Sequence, residues 1–436
     1  MTTMGTRNRF DAPRPTPGGE REMLQAHPDQ KTWNAALSCF DDGYGSAAAI
    51  REVWSEAPPP GDIVPVATAI GAIYADTYWA GTRFDISKLA TDLRAATGVS
   101  QPDCDAAARR AFQKWRGLFV RANLSDDTSI PKAGSLTASP DVVINGQVDL
   151  SVKEIIKRWD TFVWTPEVGY KNYTYGRAQS QNFLVPIAKP ILRMYYSDAG
   201  FTPPPSTWVQ MFTYDGTSGT SEMKTADGGT KAEPGTRVAA SSAFAFEPPG
   251  SGHYCLITVV GSEFFANSPL EQTGNWSSAE WIQYNGAAGW HNVDKTVSSH
   301  ETLKFYNQDS RPERFVFEAH CTRLPVGTRL SLESSDSGLI SPASSGFVEI
   351  TAEYQVVKVE TELPPNFAGT LNIRYKTPDN GLLPEGSAID VRQGWIISKN
   401  HDRHLDAANL VGRVEDHILG RPLTVPMGNF TFLGTR

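Results

Sequence analysis

Hydrophobic residues change their spacing near residue 125, from the period of a helix to that of a strand. Before that point Ile86, Leu89 and Leu93 stand at i, i+3 and i+7, after a good N-cap in Asp85 and before the helix-ending Gly98. Further along, β-branched and aromatic residues cluster in short runs between Pro/Gly turns. The pattern predicts a helical region followed by antiparallel strands.

The same pattern divides the chain into four parts. It predicts a flexible Pro/Gly-rich arm over 1–30, a helical region over 31–125, a β-sandwich domain over 139–300, and a second β-rich region with a short C-terminal helix over 301–436. The apolar-poor segment 216–235 is predicted to be an exposed loop. The predicted fold class is multidomain α+β, with a small N-terminal helical region followed by mainly antiparallel β-sandwich domains, either jelly-roll or immunoglobulin-like.

A second helix is predicted to begin near Asp103. Its apolar side would carry Phe112, Trp115, Leu118 and Phe119, with basic residues largely on the opposite side. Together with weaker helical segments before it, this helix predicts a packet of three or four helices.

Composition and charge remove several classes of function. The 436 residues carry 48 acidic and 40 basic side chains, a formal net charge of −8, which argues against nucleic-acid backbone binding as the main role. The sequence has no run of about 18 apolar residues, so it predicts no integral membrane segment. The first ten residues lack the apolar core of a secretory signal, so we expect a cytoplasmic location, or a virion if the chain belongs to a particle.

A capped helix follows the first predicted strand of the sandwich. Ser151 and Glu154 have the spacing of a capping box, and Ile155, Ile156 and Trp159 supply an apolar side. Residues 148–159, a strand end that leads into a capped helix finishing in Lys-Arg-aromatic, resemble the corresponding helix in jelly-roll capsid proteins of picorna-like viruses. The resemblance implies a shell-forming subunit whose sandwich packs against copies of itself, with a flexible terminal arm.

Histidines near the C-terminus are the candidates for a metal site. His401 and His404 stand at i, i+3 and could share a helical face, and His417 follows 13 residues later, so a three-imidazole site is one interpretation. The segment is polar and turn-like, which favours solvated histidines. We expect no metal and no cofactor.

Two Cys-His pairs are candidates for nucleophilic sites. His320 and Cys321 are adjacent and should point to opposite faces of a strand, whereas His253 and Cys255 share a face without an evident third partner. The pairs are therefore interpreted as structural. All four cysteines are scattered, and we expect them to be reduced and buried.

Aromatic residues leave core and surface roles open. The cluster Tyr170, Tyr173 and Tyr175 fits either a sandwich core or an interface, which could also be a glycan-stacking surface. Since catalytic motifs are lacking, we expect a non-enzymatic structural protein, a subunit of a large homomeric assembly such as a viral capsid. Its partner would be itself or another protein.

Two other functions remain open. One is a component of a secreted or delivered toxin that binds a glycan or a cell surface. The other is a metal-dependent hydrolase that uses the region of His401 and His404.

Overall fold

A computed structural model describes most of the chain. The described residues are 46–56, 63–79, 86–111, 114–163, 165–167, 169–182, 186–198, 200–248, 254–263, 265–269, 278–293, 299–340, 342–411 and 414–434. The predicted arm over 1–30 lies outside them, as do Cys39, Asp85, Phe112 and His253.

The described part of the N-terminal region is helical. Its helices are α1 (Ser46–Glu56), α2 (Val64–Trp79), α3 (Ile86–Thr97) and α4 (Gln101–Arg110). Their buried residues, among them Ile50, Leu89 and Cys104, form a hydrophobic cluster of their own. Gly98 follows α3 with a φ of +72°, a conformation that favours glycine, so the predicted end of this helix is confirmed.

The predicted continuation of the second helix is wrong. The hydroxyl oxygen of Ser100 accepts a hydrogen bond from the backbone N–H of Asp103, and α4 ends at Arg110. Leu118 and Phe119 instead form a strand. Apolar residues at helical spacing also suit a short buried strand, and here pairing in the sheet prevails.

The first β region contains twelve strands and two helices among its described residues. The strands are β1 (Leu118–Phe119), β2 (Val142–Ile144), β3 (Asn172–Ser180), β4 (Ile187–Ala188), β5 (Ile191–Asp198), β6 (Val209–Gln210), β7 (Ser221–Lys224), β8 (Lys231–Ala232), β9 (Arg237–Ala240), β10 (Phe244–Phe246), β11 (Tyr254–Gly261) and β12 (Ala288–Val293). The helices are α5 (Val152–Lys157) and α6 (Ser278–Tyr284), and a 3-10 turn spans Pro205–Thr207. The main strand order is β1-β3-β9-β7-β5-β11-β12, with β2 and β10 paired to β3 and β6 paired to β5.

The second β region is built from two antiparallel sheets. Its strands are β13 (His300–Tyr306), β14 (Glu313–Thr322), β15 (Arg329–Ser334), β16 (Ala343–Ser344), β17 (Val348–Glu349), β18 (Tyr354–Leu363), β19 (Ala368–Lys376), β20 (Ala388–Ile397) and β21 (Leu423–Leu433). Helices α7 (His404–Leu410) and α8 (Val414–Ile418) lie between the last two strands. One sheet has the order β13-β19-β15-β16, with β17 on β15, and the other has the order β18-β14-β20-β21.

Alternation of side chains gives these two sheets a dry face and a wet face. In β19, Leu371, Ile373 and Tyr375 are buried, whereas Arg374 and Lys376 are exposed. Successive residues of a strand point to opposite sides of the sheet. The apolar side chains of each strand therefore point towards the other sheet.

The predicted exposed loop over 216–235 is partly wrong. Strands β7 and β8 lie within it, and Met223 and Ala232 are fully buried. A four-residue strand with a single large apolar residue gives little local signal. Its burial depends on pairing with β5 and β9, which only the folded sheet supplies.

One hydrophobic core crosses from the first β region into the second. The rings of Phe201 and Phe317 lie 5.9 Å apart, and both belong to a cluster that also contains Trp208, Trp281 and Trp290. A hydrogen bond of 2.6 Å from the Thr202 hydroxyl to the Met427 carbonyl joins the same two regions. The sandwich regions are therefore packed directly on each other across residue 300.

The predicted fold class is confirmed: the chain is a multidomain α+β protein with a helical N-terminal region followed by antiparallel β-sandwich structure. The predicted domain boundaries stay predictions. None of the helices in the described ranges is long and apolar enough to span a membrane.

Candidate functional site

His401 lies in the turn before α7 and is bound on both ring nitrogens. Its Nε2 donates to Glu313 Oε1 at 2.9 Å, and its Nδ1 accepts from the Arg403 backbone N–H at 3.0 Å. Glu313 is buried and also accepts from Trp395 Nε1 at 2.9 Å. The imidazole is thereby fixed as the tautomer that carries its proton on Nε2.

His404 and His417 form a direct pair. Their Nδ1 atoms are 2.8 Å apart, and His404 Nε2 donates to the Arg421 carbonyl oxygen at 2.8 Å. His404 Nδ1 therefore accepts the proton of His417 Nδ1, which ties the start of α7 to the end of α8. His404 is only 1% exposed, so the interpretation of solvated histidines is wrong for this residue.

The three candidate histidines are thus brought together only in part. His404 reaches His417, whereas His401 is directed to Glu313. Across the described residues, no group of three or more His, Cys, Asp or Glu side chains is arranged to hold a metal ion. The hydrolase hypothesis gains no support from these positions.

An ionic cluster surrounds His401 and links the two β regions. Arg403 pairs with Glu280 of α6 and lies 3.7 Å from Asp309, and its guanidinium sits 4.9 Å from the centre of the Trp395 ring. Arg311 lies 3.6 Å from Asp309. Each carboxylate of the cluster lies within 4 Å of Arg311 or Arg403, as expected for an internal brace rather than for a reactive centre.

A second charged cluster is buried beneath α5. Asp141 is fully buried and accepts from Arg121 Nη2 at 2.6 Å and from Arg177 Nε at 3.0 Å. Arg177 also donates to the carbonyl oxygens of Arg158 and Trp159 just past α5, at 2.8 and 3.1 Å. The arginine supplies donors for carbonyls that the helix leaves without intrahelical partners. It thereby fastens the helix to the sheet.

This charged cluster was not predicted from the sequence. Its members lie far apart in the chain, and each stands in a different local context. The available signal was Arg177 itself, the one charged residue of a predicted strand, because arginines inside a sheet are rarely buried unless they are paired.

A buried lysine lies next to this cluster. Lys132 Nζ donates to the carbonyl oxygens of Val120 and Ala288 at 2.7 and 2.6 Å. Burial lowers the pKa of Lys132 to about 8, and Asp126 and Asp141 oppose that shift. Its amine is held between two strands and is only 1% exposed, which indicates a structural role.

The Cys321 and His320 side chains point to opposite faces of β14, as predicted. Cys321 is fully buried, and burial raises the pKa of its thiol to about 12. His320 Nδ1 lies 2.7 Å from Tyr354 Oη on the outer face. A thiol with a raised pKa is a poor nucleophile. Cys104 and Cys255 are likewise buried.

A shallow depression of about 450 Å³ adjoins α5. It is lined by side chains from α5, β3 and the turns around β8, among them Ile156, Gln179, Thr225, Asp227 and Arg237. Arg237 stacks on Trp159, with its guanidinium carbon 4.9 Å from the ring centre. The volume of the depression is within the range of small-molecule sites. Its charged lining, however, consists of one acid, Asp227, and one base, Arg237.

Aromatic side chains at or near the surface lie close together in sequence or in strand register in the first β region. Tyr170 and Phe212 are each 54% exposed. Tyr173 and Tyr214 stack at 3.8 Å between ring centres. We call these four residues the aromatic surface.

Backbone pairing places Phe212 and Tyr173 on either side of Ala245 in the sheet. The Phe212 carbonyl accepts from Ala245 N–H at 2.9 Å, and Ala245 is the register partner of Tyr173. Lys171 lies 4.3 Å above the Tyr214 ring. Of the three tyrosines whose role was open, Tyr175 is buried in the core, whereas Tyr170 is at the surface.

Comparison with known proteins shows no family for this chain. No protein-family model matches the chain, and no curated protein matches it. A weak match among solved structures is a vicilin from Solanum melongena, at 10% identity and a TM-score of 0.10, over 68% of this chain and 98% of that chain. A TM-score this low supports no statement about fold or function.

Proposed function

We propose that the chain is a non-enzymatic structural protein, a subunit of a large homomeric assembly such as a viral capsid. The observation that carries this proposal is the aromatic surface. Contiguous exposed apolar patches on soluble proteins mark interaction sites, whereas single exposed apolar residues are ordinary. Interface cores are enriched in tyrosine and phenylalanine, so a second copy of the chain is the proposed occupant.

An edge strand gives independent support. β18 ends the strand order of its sheet and is ten residues long. At one end of it Tyr354 and Val356 are exposed, at 59% and 38%. A long edge offers backbone donors and acceptors that a neighbouring chain can pair with. Repeated contacts of two kinds, one through a face and one through an edge, are what an extended assembly requires.

The capped helix is also consistent with the proposed role. The capping box of Ser151 and Glu154 is formed, and α5 follows strand β2 as in the segment that resembles capsid proteins. The toxin and hydrolase alternatives have no comparable observation in their favour.

Size exclusion with light scattering and negative-stain imaging tests the proposed assembly. We expect wild-type protein to form regular oligomers or particles. The double variant Tyr170→Ser, Phe212→Ser should shift the protein to smaller species, because removing two interface aromatics costs about 2 kcal/mol or more per contact.

A control variant removes two exposed apolar side chains elsewhere. Val326 and Leu382, exposed at 69% and 47%, lie outside the aromatic surface, and Val326→Ser, Leu382→Ser should leave assembly unchanged. A wild-type protein that stays monomeric at high concentration would contradict the proposed function. Equal loss of assembly in both variants would contradict the role of the aromatic surface.

A further inference from the structure

Three polar side chains form a hydrogen-bonded row on the outer face of β14 and β18. His320 Nδ1 lies 2.7 Å from Tyr354 Oη, and His320 Nε2 lies 3.2 Å from Glu318 Oε2. Alternation along β14 buries Ala319 and Cys321 and places Glu318 and His320 on the opposite side of the sheet. Tyr354 begins β18 and is 59% exposed, so it is accessible from solution. We call Glu318, His320 and Tyr354 the polar row.

The hydrogen-bond directions in the polar row follow from its acid. At neutral pH Glu318 is a carboxylate, and its register partners on the neighbouring strands, Lys358 and Arg392, are both basic. A carboxylate can only accept hydrogen bonds, so His320 Nε2 donates to Glu318. A neutral imidazole then has its lone pair on Nδ1, which accepts the proton of the Tyr354 hydroxyl. The phenol therefore directs its proton at a base.

The other acid beside His320 is already engaged. The register partners of His320 are Val356 on β18 and Asp390 on β20. The Asp390 carboxylate accepts hydrogen bonds at 2.6, 3.1 and 3.0 Å from Arg392, Asn429 and Thr431. Glu318 is therefore the carboxylate that orients the imidazole.

The polar row combines a nucleophile, a base and an acid that orients the base. A base that holds a hydroxyl proton can take it up while the oxygen forms a new bond, which raises rates by roughly 100- to 10,000-fold. Hydroxyl nucleophiles on unrelated folds share this division of roles. Here the three roles fall to Tyr354, His320 and Glu318.

We propose that Tyr354 is an acylation site that takes its acyl group from an activated ester, one whose leaving group is a phenol or a thiol. The Tyr354 oxygen forms a bond to the carbonyl carbon, and the phenol proton passes to His320 Nδ1. The bond from that carbon to the leaving oxygen or sulfur breaks, and the leaving group takes the proton from His320. The products are an acyl ester of Tyr354, the free phenol or thiol, and a neutral imidazole.

The modification is compatible with the proposed structural role and does not depend on it. It occurs once per chain and needs no turnover. Pairing of a neighbouring chain at the β18 edge would use backbone groups in the plane of the sheet, whereas the polar row stands out from that plane. Glu318 is a positioning residue, because it acts on the phenol only through His320.

Acetylation of the full-length protein by p-nitrophenyl acetate at mildly alkaline pH, followed by peptide mass mapping, tests the site. Tyr354 should react roughly 100-fold faster in wild type than in His320→Gln, whose amide can accept the phenol hydrogen bond but cannot take up the proton. Tyr170 is the internal reference: it is 54% exposed, and among the described residues no imidazole contacts its hydroxyl. Its rate should be equal in both proteins, which excludes misfolding. The control His300→Gln removes an exposed histidine from another sheet and should leave the Tyr354 rate unchanged.

A Glu318→Gln variant tests the positioning role. Its amide can donate to His320 Nε2, which favours the tautomer with the proton on Nδ1, and that tautomer cannot accept from the phenol. We expect 15N NMR of histidine-labelled protein to show more of this tautomer and the Tyr354 rate to fall with it. A lower rate with an unchanged tautomer would contradict the positioning role.

Two outcomes would overturn the acylation site. One is an equal Tyr354 rate in wild type and His320→Gln. The other is acetylation of His320 or Lys358 in place of Tyr354.

Discussion

A partly buried histidine makes stability depend on pH. His291 on β12 has its Nδ1 2.7 Å from the Ser139 carbonyl oxygen, to which only a protonated nitrogen can donate. Burial lowers the pKa of His291 to about 4, and the hydrogen bond to Ser139 opposes that shift. The folded protein thus holds this imidazole neutral where the unfolded chain would protonate it.

We expect His291 to weaken the fold in acid. Between pH 6.5 and about 4 the unfolded chain binds the proton more tightly than the folded protein does. The contribution of His291 to stability is therefore fully present above pH 6.5 and is lost as the pH falls. The loss amounts to about 3 kcal/mol of unfolding free energy for a pKa lowered this far. His291→Asn keeps a donor for the Ser139 carbonyl and removes the titration.

Urea unfolding of wild type and His291→Asn at several pH values measures this effect. The variant should lose less stability than wild type on acidification, while all other titrating groups contribute equally to both proteins. Parallel pH profiles would show that His291 does not titrate in this range.

At the residue scale, the sequence shows which chemical group each side chain carries but not what surrounds that group in the fold. The polar context of His404 favoured exposure, yet the ring is buried because α7 packs against β21 and α8 supplies His417 as a partner. His320 and Cys321 could be placed correctly because strand alternation is local. Predictions succeed where the deciding contact lies within a few residues.

Helix α5 shows the same difference between local and long-range contacts at the scale of one element. Its start is readable from Ser151 and Glu154, whose mutual hydrogen bonds span three residues. Its end is held by Arg177 from β3, whose side chain reaches carbonyls 18 and 19 residues away in sequence. The first contact is local and predictable, and the second depends on the sheet.

We expect these two ends of α5 to differ in energetic weight. Ser151→Ala should cost about 1 kcal/mol, the usual loss for an N-cap. Arg177→Met should cost about 3 to 5 kcal/mol, since it breaks a buried ion pair with Asp141 and removes the hydrogen bonds from Arg177 to backbone carbonyls around the end of α5. Arg193, a partly exposed arginine that donates to the Ala266 carbonyl, gives a control in Arg193→Met, with an expected change near 0.5 kcal/mol or less.

Chemical denaturation of the three variants checks the ranking. An Arg177→Met protein as stable as Arg193→Met would mean that Asp141 is satisfied by Arg121 alone. A Ser151→Ala, Glu154→Ala double variant no worse than Ser151→Ala would confirm that the two side chains act as one cap.

For the whole molecule, the order of helical and β regions follows from hydrophobic spacing, whereas their packing does not. Phe201, Trp208 and Phe317 looked like ordinary strand or turn aromatics, and nothing local showed that they would meet across residue 300. The sequence therefore predicts where elements change type. It does not predict that the two β regions share one core.

The shared core implies that the two β regions unfold together and apart from the helices. Cys255 in β11 and Cys321 in β14 belong to the shared hydrophobic cluster, whereas Cys104 belongs to the helical one. In variants that each keep one of these cysteines, thiol labelling along a urea gradient should give Cys255 and Cys321 the same midpoint and Cys104 a different one. Trp208→Ala should lower the first two midpoints equally, by an amount that corresponds to about 3 to 5 kcal/mol of unfolding free energy, and leave the Cys104 midpoint unchanged. Separate midpoints for Cys255 and Cys321 would mean that each sandwich is stable without the other.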